Sequence, residues 1–371
     1  MTIDAERLIE EWGHIALVPA PLGAEAERAA LVAHLARAAG ADHVEIDRAG
    51  NVVTWMDGDQ ADSEAITFLA TMDDLESVAA HRRTSSVLLR DDDRLVGPCT
   101  ETTSSDASAL AILRFMRATN PRPWQRVWVV FVIGEETGLT GVRAIVDDRA
   151  GELGSVVDLM GGIGTVSWNA IGFAGLEVEF RAEPRHSLYG GLSEVPDAIS
   201  RFVATLHESV PAVTDDVVTV RRVNRIQSGS VFNHSPATGV VGVDIRSTDP
   251  DVLATVEQNT KDAAGRAAAA SGVEVRFADG QRQPAIALPG GSEHRLVRAL
   301  AQSVSYAGRD PLLRPYSSSN INVVYAAGLP GVVHDGTFRG GGRGTADEWT
   351  DIPGVLAGVV ADCRMLQLLT D

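Results

Sequence analysis

Residues 126–145 read RVWVVFVIGEETGLTGVRAI, an apolar run that ends at two adjacent glutamates and a glycine-containing turn. Two further apolar runs lie on either side of it along the chain, ITFLATMD at 66–73 and SVVDLMGG at 155–162, and helical patterns such as DASALAILRFMRATN at 106–120 separate the runs. Buried strands that alternate with helices are typical of a mainly parallel sheet with helices on its faces. The sequence therefore predicts an α/β domain built on a mainly parallel mixed sheet.

The pattern changes near residue 170. Strand, helix, strand, strand, helix and strand patterns follow one another in the segments 175–183, 194–210, 217–226, 237–247, 251–272 and 273–279. This order is that of a ferredoxin-like α+β sandwich. Because the α/β pattern then resumes, we predict a discontinuous α/β domain, residues 1–169 and 286–371, with a smaller α+β domain, residues 170–285, inserted into it.

Bulk composition narrows the class of protein. The 371 residues, 44% of them hydrophobic, exceed one ordinary core and favour two domains. A formal net charge of -18 argues against nucleic acid and anionic membranes as partners. The N-terminal residues lack a basic segment followed by an apolar run, and no stretch reaches the roughly 18 apolar residues of a membrane span. We expect a cytoplasmic enzyme that acts on a small molecule.

Two kinds of reactive side chain are scarce. Cys99 and Cys363 lie far apart and provide neither a disulfide framework nor a CxxC metal pair. Cys99 lies just before a polar segment and is a candidate nucleophile, although the sequence offers it no obvious histidine partner. The single lysine, Lys261, falls in a polar helical stretch, which argues against a Schiff-base mechanism.

Four segments, in this order, resemble the co-catalytic zinc exopeptidases, a family that includes peptidase T, carboxypeptidase G and the aminoacylases. They are an Asp-x-x-Gly-Asn hairpin within 17–53, the Glu-Glu-x-Gly segment VIGEETGLTGVRAI at 132–145, the strands SVFNHSPATGVVGVDIRS at 230–247 and the segment YSSSNINVVYAAGLPGVV at 316–333. The resemblance covers nearly the whole chain. It implies a zinc-exopeptidase-like catalytic domain with an inserted lid and dimerisation domain, and a homodimer formed through that lid.

The resemblance also locates the family's zinc ligands, and most of them are replaced. Thr71 stands at the first histidine, two residues before a supporting aspartate, Asp73. Ser105, or Ser104 with a different gap, stands where a bridging aspartate opens the next helix, and Asp106 is interpreted as the N-terminal charge of that helix. Thr71 and Ser105 are therefore expected to contact substrate instead of metal.

Two more ligand positions have changed. Gly344 stands at the second histidine, four residues before the glutamate Glu348. The carboxylate before the Gly-Gly turn falls on Met160, or on Asp158 if the turn is shorter. Because zinc sites are built from imidazole, thiolate and carboxylate ligands, we predict a degenerate site without a metal or other cofactor.

The acidic residues of the site remain. Glu135 matches the family's general base and Glu136 a metal ligand, and both lie close to Asp73 in the expected fold. Without dications, adjacent carboxylates cannot all stay ionised, so at least one pKa should be raised into the range of acid-base catalysis. Arg339 and Arg343 in the glycine-rich segment 338–347 are candidates to replace the missing positive charge and to bind substrate.

Three residues of the inserted domain match the family's substrate contacts. His186 falls on a histidine that reaches into the partner subunit and stabilises an oxyanion, and Asn233 on a substrate-binding asparagine. Arg246 ends the Asp-x-Arg strand. The prediction for His186 requires a homodimer.

Three functions stay open at this point. The favoured one is a metal-independent enzyme in which Glu135 and Glu136 perform acid-base chemistry on a small amino-acid-like or acylamino substrate, as in a tailoring step of specialised metabolism. The second is a conventional hydrolase whose zinc is held by other residues, such as Asp158 with His81 or His334. The third is an inert descendant that binds a ligand or a protein.

Overall fold

The computed structural model describes residues 3–60, 64–75, 88–119, 125–160, 164–189, 194–209, 217–336, 339–345 and 347–370. Two compact units make up the chain, Met1–Asn169 with Ala287–Asp371, and Ala170–Ile286. The return to the first unit falls one residue after the position given by the sequence patterns.

The helices and strands are numbered in chain order. The described α-helices are α1 Ala5–Leu17, α2 Ala26–Ala39, α3 Thr100–Ala118, α4 Thr140–Leu153, α5 Glu194–Glu208, α6 Pro250–Ser271, α7 Arg295–Tyr306, α8 Ile321–Ala326 and α9 Ile352–Thr370. The strands are β1 His43–Ile46, β2 Val52–Met56, β3 Ile66–Thr71, β4 Leu89–Asp91, β5 Arg94–Val96, β6 Val127–Val132, β7 Ser155–Met160, β8 Thr165–Ser167, β9 Asn169–Ala170, β10 Gly172–Arg181, β11 Thr219–Ser228, β12 Thr238–Ser247, β13 Glu274–Gln283, β14 Ile286–Ala287, β15 Leu312–Leu313, β16 Tyr316–Ser317, β17 Gly331–Asp335, β18 Gly340–Gly341 and β19 Trp349–Asp351.

The first unit is built on an eight-stranded mixed sheet with the order β1-β2-β6-β3-β7-β17-β8-β15. The pairs β3–β6, β3–β7, β7–β17 and β8–β15 are parallel, and the other three pairs are antiparallel. Every residue of β3 and β6 is buried, because helices cover both faces of the sheet. The prediction of a mainly parallel mixed sheet is confirmed.

Helix α3 begins six residues earlier than the sequence pattern indicates. Its N-cap is Cys99, with φ +63°, and its first residue is Thr100. Asp106 is therefore fully buried in the second turn and is not an N-terminal charge. Ser104 and Ser105 likewise lie inside the helix, so neither opens it. Their hydroxyls donate to carbonyls of the same helix, which satisfies them internally: Ser104 Oγ to Glu101 O, 2.6 Å, and Ser105 Oγ to Thr102 O, 2.7 Å.

One helix meets the length and hydropathy of a membrane span, contrary to the expectation from the sequence. Helix α9 has a mean hydropathy of 1.5 over its apolar window. It packs against α3 and α7, and its buried residues include the charged Asp362. The helix is therefore a core element of the first unit.

The second unit is a four-stranded antiparallel sheet with the order β11-β12-β10-β13. Alternate residues of β10 and β12 are buried against helices α5 and α6. The aromatic pair Phe180 and Phe202, with ring centroids 5.8 Å apart, lies in this core. The prediction of a ferredoxin-like α+β domain is confirmed.

Candidate active site

The turn that carries the two glutamates is held at both ends by Asn51. The Asn51 side chain is fully buried; its Oδ1 accepts from the Ile133 N–H at 3.1 Å and its Nδ2 donates to the Gly141 carbonyl at 3.0 Å. Asp47 supports Asn51 in turn, accepting from its Nδ2 at 2.7 Å and from its backbone N–H at 2.9 Å. The Asp-x-x-Gly-Asn hairpin thus serves to position the strand-to-helix turn.

Asp73 fixes the middle of the same turn. Its two carboxylate oxygens accept from the backbone N–H groups of Glu135, at 3.0 Å, and Glu136, at 3.1 Å. Gly134 precedes the glutamates with φ +62°, and a Cβ there would lie 2.1 Å from Thr140 Oγ1, so only glycine fits. Asp73 therefore acts on the site through the turn, and the Glu135 side chain is half-buried while that of Glu136 is exposed.

Glu135 is the most strongly perturbed of these carboxyls. Burial, and then the charges of Glu136, Asp73 and Asp158, raise its pKa to about 8, against the smaller opposing effect of Arg343. Burial also raises the pKa of Asp73 to about 6, although the two backbone hydrogen bonds oppose this. A carboxyl whose pKa is raised towards neutral pH is suited to exchange a proton with a substrate.

Arg343 provides a positive charge beside these carboxyls. Its Nε lies 2.7 Å from Glu101 Oε2, and its charge also acts on Glu135, Glu136 and Glu348. These carboxylates raise the pKa of Arg343 although burial opposes the shift. Arg339, in contrast, is exposed and contributes its carbonyl, which accepts from the Asp351 N–H at 2.9 Å. Of the two arginines proposed from the sequence, the structure joins only Arg343 to the acidic cluster.

Glu348 links the segment that carries Arg343 to the start of helix α3. Its Oε1 accepts from the Glu101 N–H at 2.8 Å, and its Oε2 accepts from the Gly344 N–H at 2.9 Å. Gly344 has φ +75°, a left-handed conformation that disfavours other residues. The sequence patterns did not indicate Glu101 as a site residue, because its place in the first helical turn depends on the helix start at Thr100, six residues before the predicted start.

Thr71 belongs to a buried network instead of a substrate pocket. Only 4% of Thr71 is exposed, and its Oγ1 accepts from Asn320 Nδ2 at 3.1 Å and lies 4.0 Å from Met160 Sδ. Asp158 accepts from Ser319 Oγ at 2.6 Å and from Asn320 Nδ2 at 3.2 Å. The predicted substrate contacts of Thr71 and Ser105 are therefore corrected, because both hydroxyls are buried with internal partners.

The alternative metal site at Asp158 and His334 does not form. In the paired strands β7 and β17, Val333 lies beside Asp158 and His334 beside Leu159, so Asp158 and His334 project from opposite faces of the sheet. His334 Nδ1 instead lies 2.6 Å from Asp362 Oδ1, with both side chains buried. His81, the other proposed ligand, lies outside the described residues.

Cys99 does not have the environment of a nucleophile. The thiol is buried, and burial raises its pKa well above the ordinary value, although Arg28, whose Nη1 lies 3.8 Å from the sulfur, opposes the shift. The thiolate required for attack is therefore disfavoured.

The zinc pair implied by the family resemblance does not fit these side chains. The resemblance predicts ligand positions at Thr71, at Gly344 and at either Met160 or Asp158, and Thr71 and Met160 are packed against each other. Across the described part of the chain, no three His, Cys, Asp or Glu side chains are grouped to hold one metal ion. Among the described residues, Arg343 is a cation whose charge acts on these carboxyls.

The second unit brings together two of its three predicted substrate contacts. His186 pairs with His234 in a β-bridge, and the Ser187 N–H donates to the Asn233 carbonyl at 2.9 Å, so His186 and Asn233 lie on adjoining loops. Arg246 lies eight residues along β12 from the end nearest these loops, roughly 26 Å at the rise of a strand. Its Nε is held by Asp244, 3.1 Å away. Within the second unit, Arg246 therefore lies far from the other two predicted contacts.

Comparisons with known proteins identify the fold. No protein-family model and no curated protein sequence matches the chain. Among solved structures, aminopeptidase PepT from Bacillus cereus matches with a TM-score of 0.80 and 17% identity over 100% of both chains. A dinuclear metal-binding M20-family peptidase from Bacillus subtilis matches at 0.70 and 13%, over 98% of each chain. An amidase of the hydantoinase/carbamoylase family from Burkholderia vietnamiensis matches at 0.77 and 18%, over 100% of this chain and 98% of that chain. The chain therefore has, over its full length, the fold of these peptidases and this amidase.

Proposed function

We propose that this protein is an enzyme that performs acid-base chemistry with Glu135, coupled to Glu136, on a small amino-acid-like or acylamino substrate, without a metal ion. The observation that supports this most is the turn geometry, in which Asp73 accepts from the backbone N–H groups of both Glu135 and Glu136. Burial and the neighbouring acids raise the pKa of Glu135 to about 8, and the charge of Arg343 acts on both glutamates. Perturbed carboxyls of this kind are characteristic of catalytic sites. The peptidases and the amidase of the same fold favour an amino-acid-like substrate.

The charge arrangement favours some reactions over others. Hydrolysis of an unactivated amide requires strong polarisation of the carbonyl, for which a hydrogen-bonding arginine is a weaker group than a dication. Elimination, isomerisation or condensation at an already activated carbon requires proton transfer and an oxyanion partner. Glu135 is suited to the proton transfer, and Arg343 to an anionic group of the substrate. A tailoring step of specialised metabolism is consistent with this chemistry.

The second unit is assigned the remaining contacts. His186 and Asn233 lie on adjoining loops and are proposed to contact substrate from a partner subunit in a homodimer. Arg246 is proposed as a separate contact, because it lies eight residues along strand β12 from the end nearest these loops. We further propose that the protein is cytoplasmic.

Metal analysis and turnover test the proposal together. The purified protein is analysed by plasma mass spectrometry before and after incubation with zinc, manganese and cobalt, and turnover is screened on N-acyl amino acids and dipeptides with and without chelator. We expect essentially no bound metal, turnover that resists chelation, and at least about a hundredfold loss of kcat in Glu135→Gln. Glu152→Gln, an exposed glutamate on α4, is the matched control and should retain activity.

Two results would overturn the proposal. About one or two metal ions per chain, with activity lost on chelation, would establish the conventional hydrolase instead. Binding of ligands from the screen with no turnover, unchanged by Glu135→Gln, would identify an inert descendant.

A further inference from the structure

The described residues on either side of Arg343 are held by a strand pairing and a side-chain hydrogen bond. Strands β18 and β19 pair with the register Gly340↔Thr350 and Gly341↔Trp349. The Trp349 ring is covered by the guanidinium of Arg94, 4.1 Å from the ring centroid. Together with the hydrogen bond from Gly344 to Glu348, these contacts fix the backbone from which Arg343 extends.

The Arg343 side chain forms an ion pair with Glu101 through its Nε and remains 50% exposed. Within the described ranges, neither Nη group has a hydrogen-bond partner. A guanidinium presents parallel N–H groups that match the two oxygens of a carboxylate. Arg343 therefore offers an open edge to a bound anion.

Glu101, the ion-pair partner of Arg343, is buried close to other acidic groups. Its side chain is 9% exposed, and the acidic groups Glu348, Asp335 and Glu136 act on it together with Arg343. Burial, reinforced by these acids and opposed by Arg343, raises the pKa of Glu101 to about 7. If a second anion shared Arg343, the stabilisation of the Glu101 carboxylate would weaken and its affinity for a proton would increase.

We propose that Arg343 is the subsite for a carboxylate of the substrate, and that Glu101 is an internal counter-ion that occupies this arginine in the empty protein and takes up a proton when the ligand carboxylate binds. The inference rests on the proposed function for the nature of the substrate but concerns binding alone. It identifies the substrate as an anion with at least one free carboxylate, such as an N-acyl amino acid.

The sign of the pH dependence follows from this exchange. Above the pKa of Glu101, ligand binding must be accompanied by proton uptake, so affinity falls as pH rises, by at most about tenfold per pH unit for one proton. Below that pKa Glu101 is already protonated, and the dependence disappears. Removing the ionisable group in Glu101→Gln should tighten carboxylate binding at pH 8 and abolish its pH dependence.

Calorimetry with a simple probe tests the proposal. N-acetylglycine and its neutral analogue N-acetylglycinamide are titrated into the full-length protein at pH 6 and pH 8, in buffers with different ionisation enthalpies. We expect the carboxylate to bind with uptake of about one proton at pH 8 and the amide to bind much more weakly. Arg343→Gln should weaken carboxylate binding by about tenfold or more, while Arg298→Gln, an exposed arginine on α7, is the charge-matched control.

Circular dichroism confirms that each variant is folded, and Arg343→Lys provides a second variant that keeps the charge but loses the planar fork. Failure of the wild-type protein to bind the carboxylate more tightly than the amide would overturn the proposal, as would unchanged proton uptake in Glu101→Gln. An effect of Arg339→Gln equal to that of Arg343→Gln would also overturn it. Turnover of Glu135→Gln is measured separately from binding, so a variant that keeps its turnover overturns the proposed chemistry, whereas loss of the preference for the carboxylate over the amide overturns the anion subsite.

Discussion

At the scale of single residues, the site depends on Glu135, whose pKa rises from 4.5 to about 8. Because the folded protein holds this proton more tightly than the unfolded chain, the resulting stabilisation is complete below about pH 4.5 and is lost as pH rises towards 8. Glu135→Gln removes this dependence and should increase the free energy of unfolding at pH 8.5, relative to wild type, by about 1–3 kcal/mol. Urea denaturation at pH 5 and pH 8.5 measures the difference. If Glu135→Gln increased the free energy of unfolding no more than Glu152→Gln does, ionisation of Glu135 would not destabilise the folded protein.

At the scale of elements, Asn51 joins the β1–β2 hairpin to both ends of the turn between β6 and α4. Asn51→Ala leaves the Ile133 N–H and the Gly141 carbonyl without this partner in a buried position, so we expect a loss of about 2–4 kcal/mol of folding stability. Arg48→Ala, at an exposed position of the same hairpin, should change stability by less than about 0.5 kcal/mol. Equal urea midpoints for Asn51→Ala and wild type would show that the hairpin does not position the turn.

At the scale of the whole molecule, the second unit exposes large apolar side chains near its predicted substrate contacts. Phe232, Tyr189 and Leu188 are 108%, 85% and 74% exposed. Apolar surface of this kind favours association, and we predict a homodimer with twice the chain mass of 39.3 kDa. Analytical ultracentrifugation measures the mass, and Phe232→Ser should weaken the dimer, whereas Arg48→Ala should not. A monomer at all concentrations would remove the proposed role of His186 in a partner subunit.

The features that the sequence predicted well are those set by local patterns. The buried runs of β3, β6 and β7 and the strand-helix order of the second unit follow from hydrophobic periodicity, which is a property of neighbouring residues. The positions of Asn51 and of the Glu135 turn follow from short motifs with specific turn geometry. The start of α3 was not predicted, because the Ser and Thr residues of its first turns have low helix propensity and are satisfied by hydrogen bonds within the helix.

The amino-acid sequence was sufficient to predict the fold, because the type and spacing of the residues determine the buried strands and helices. The loss of metal ligands at Thr71 and Gly344 remains a prediction from the resemblance. The contacts that these positions make depend on the tertiary structure. Glu101 and Glu348 are 247 residues apart in the chain, and Thr71 and Asn320 are separated by 249. Such contacts exist only after the sheet and its helices have packed, and no local pattern encodes which side chains then meet.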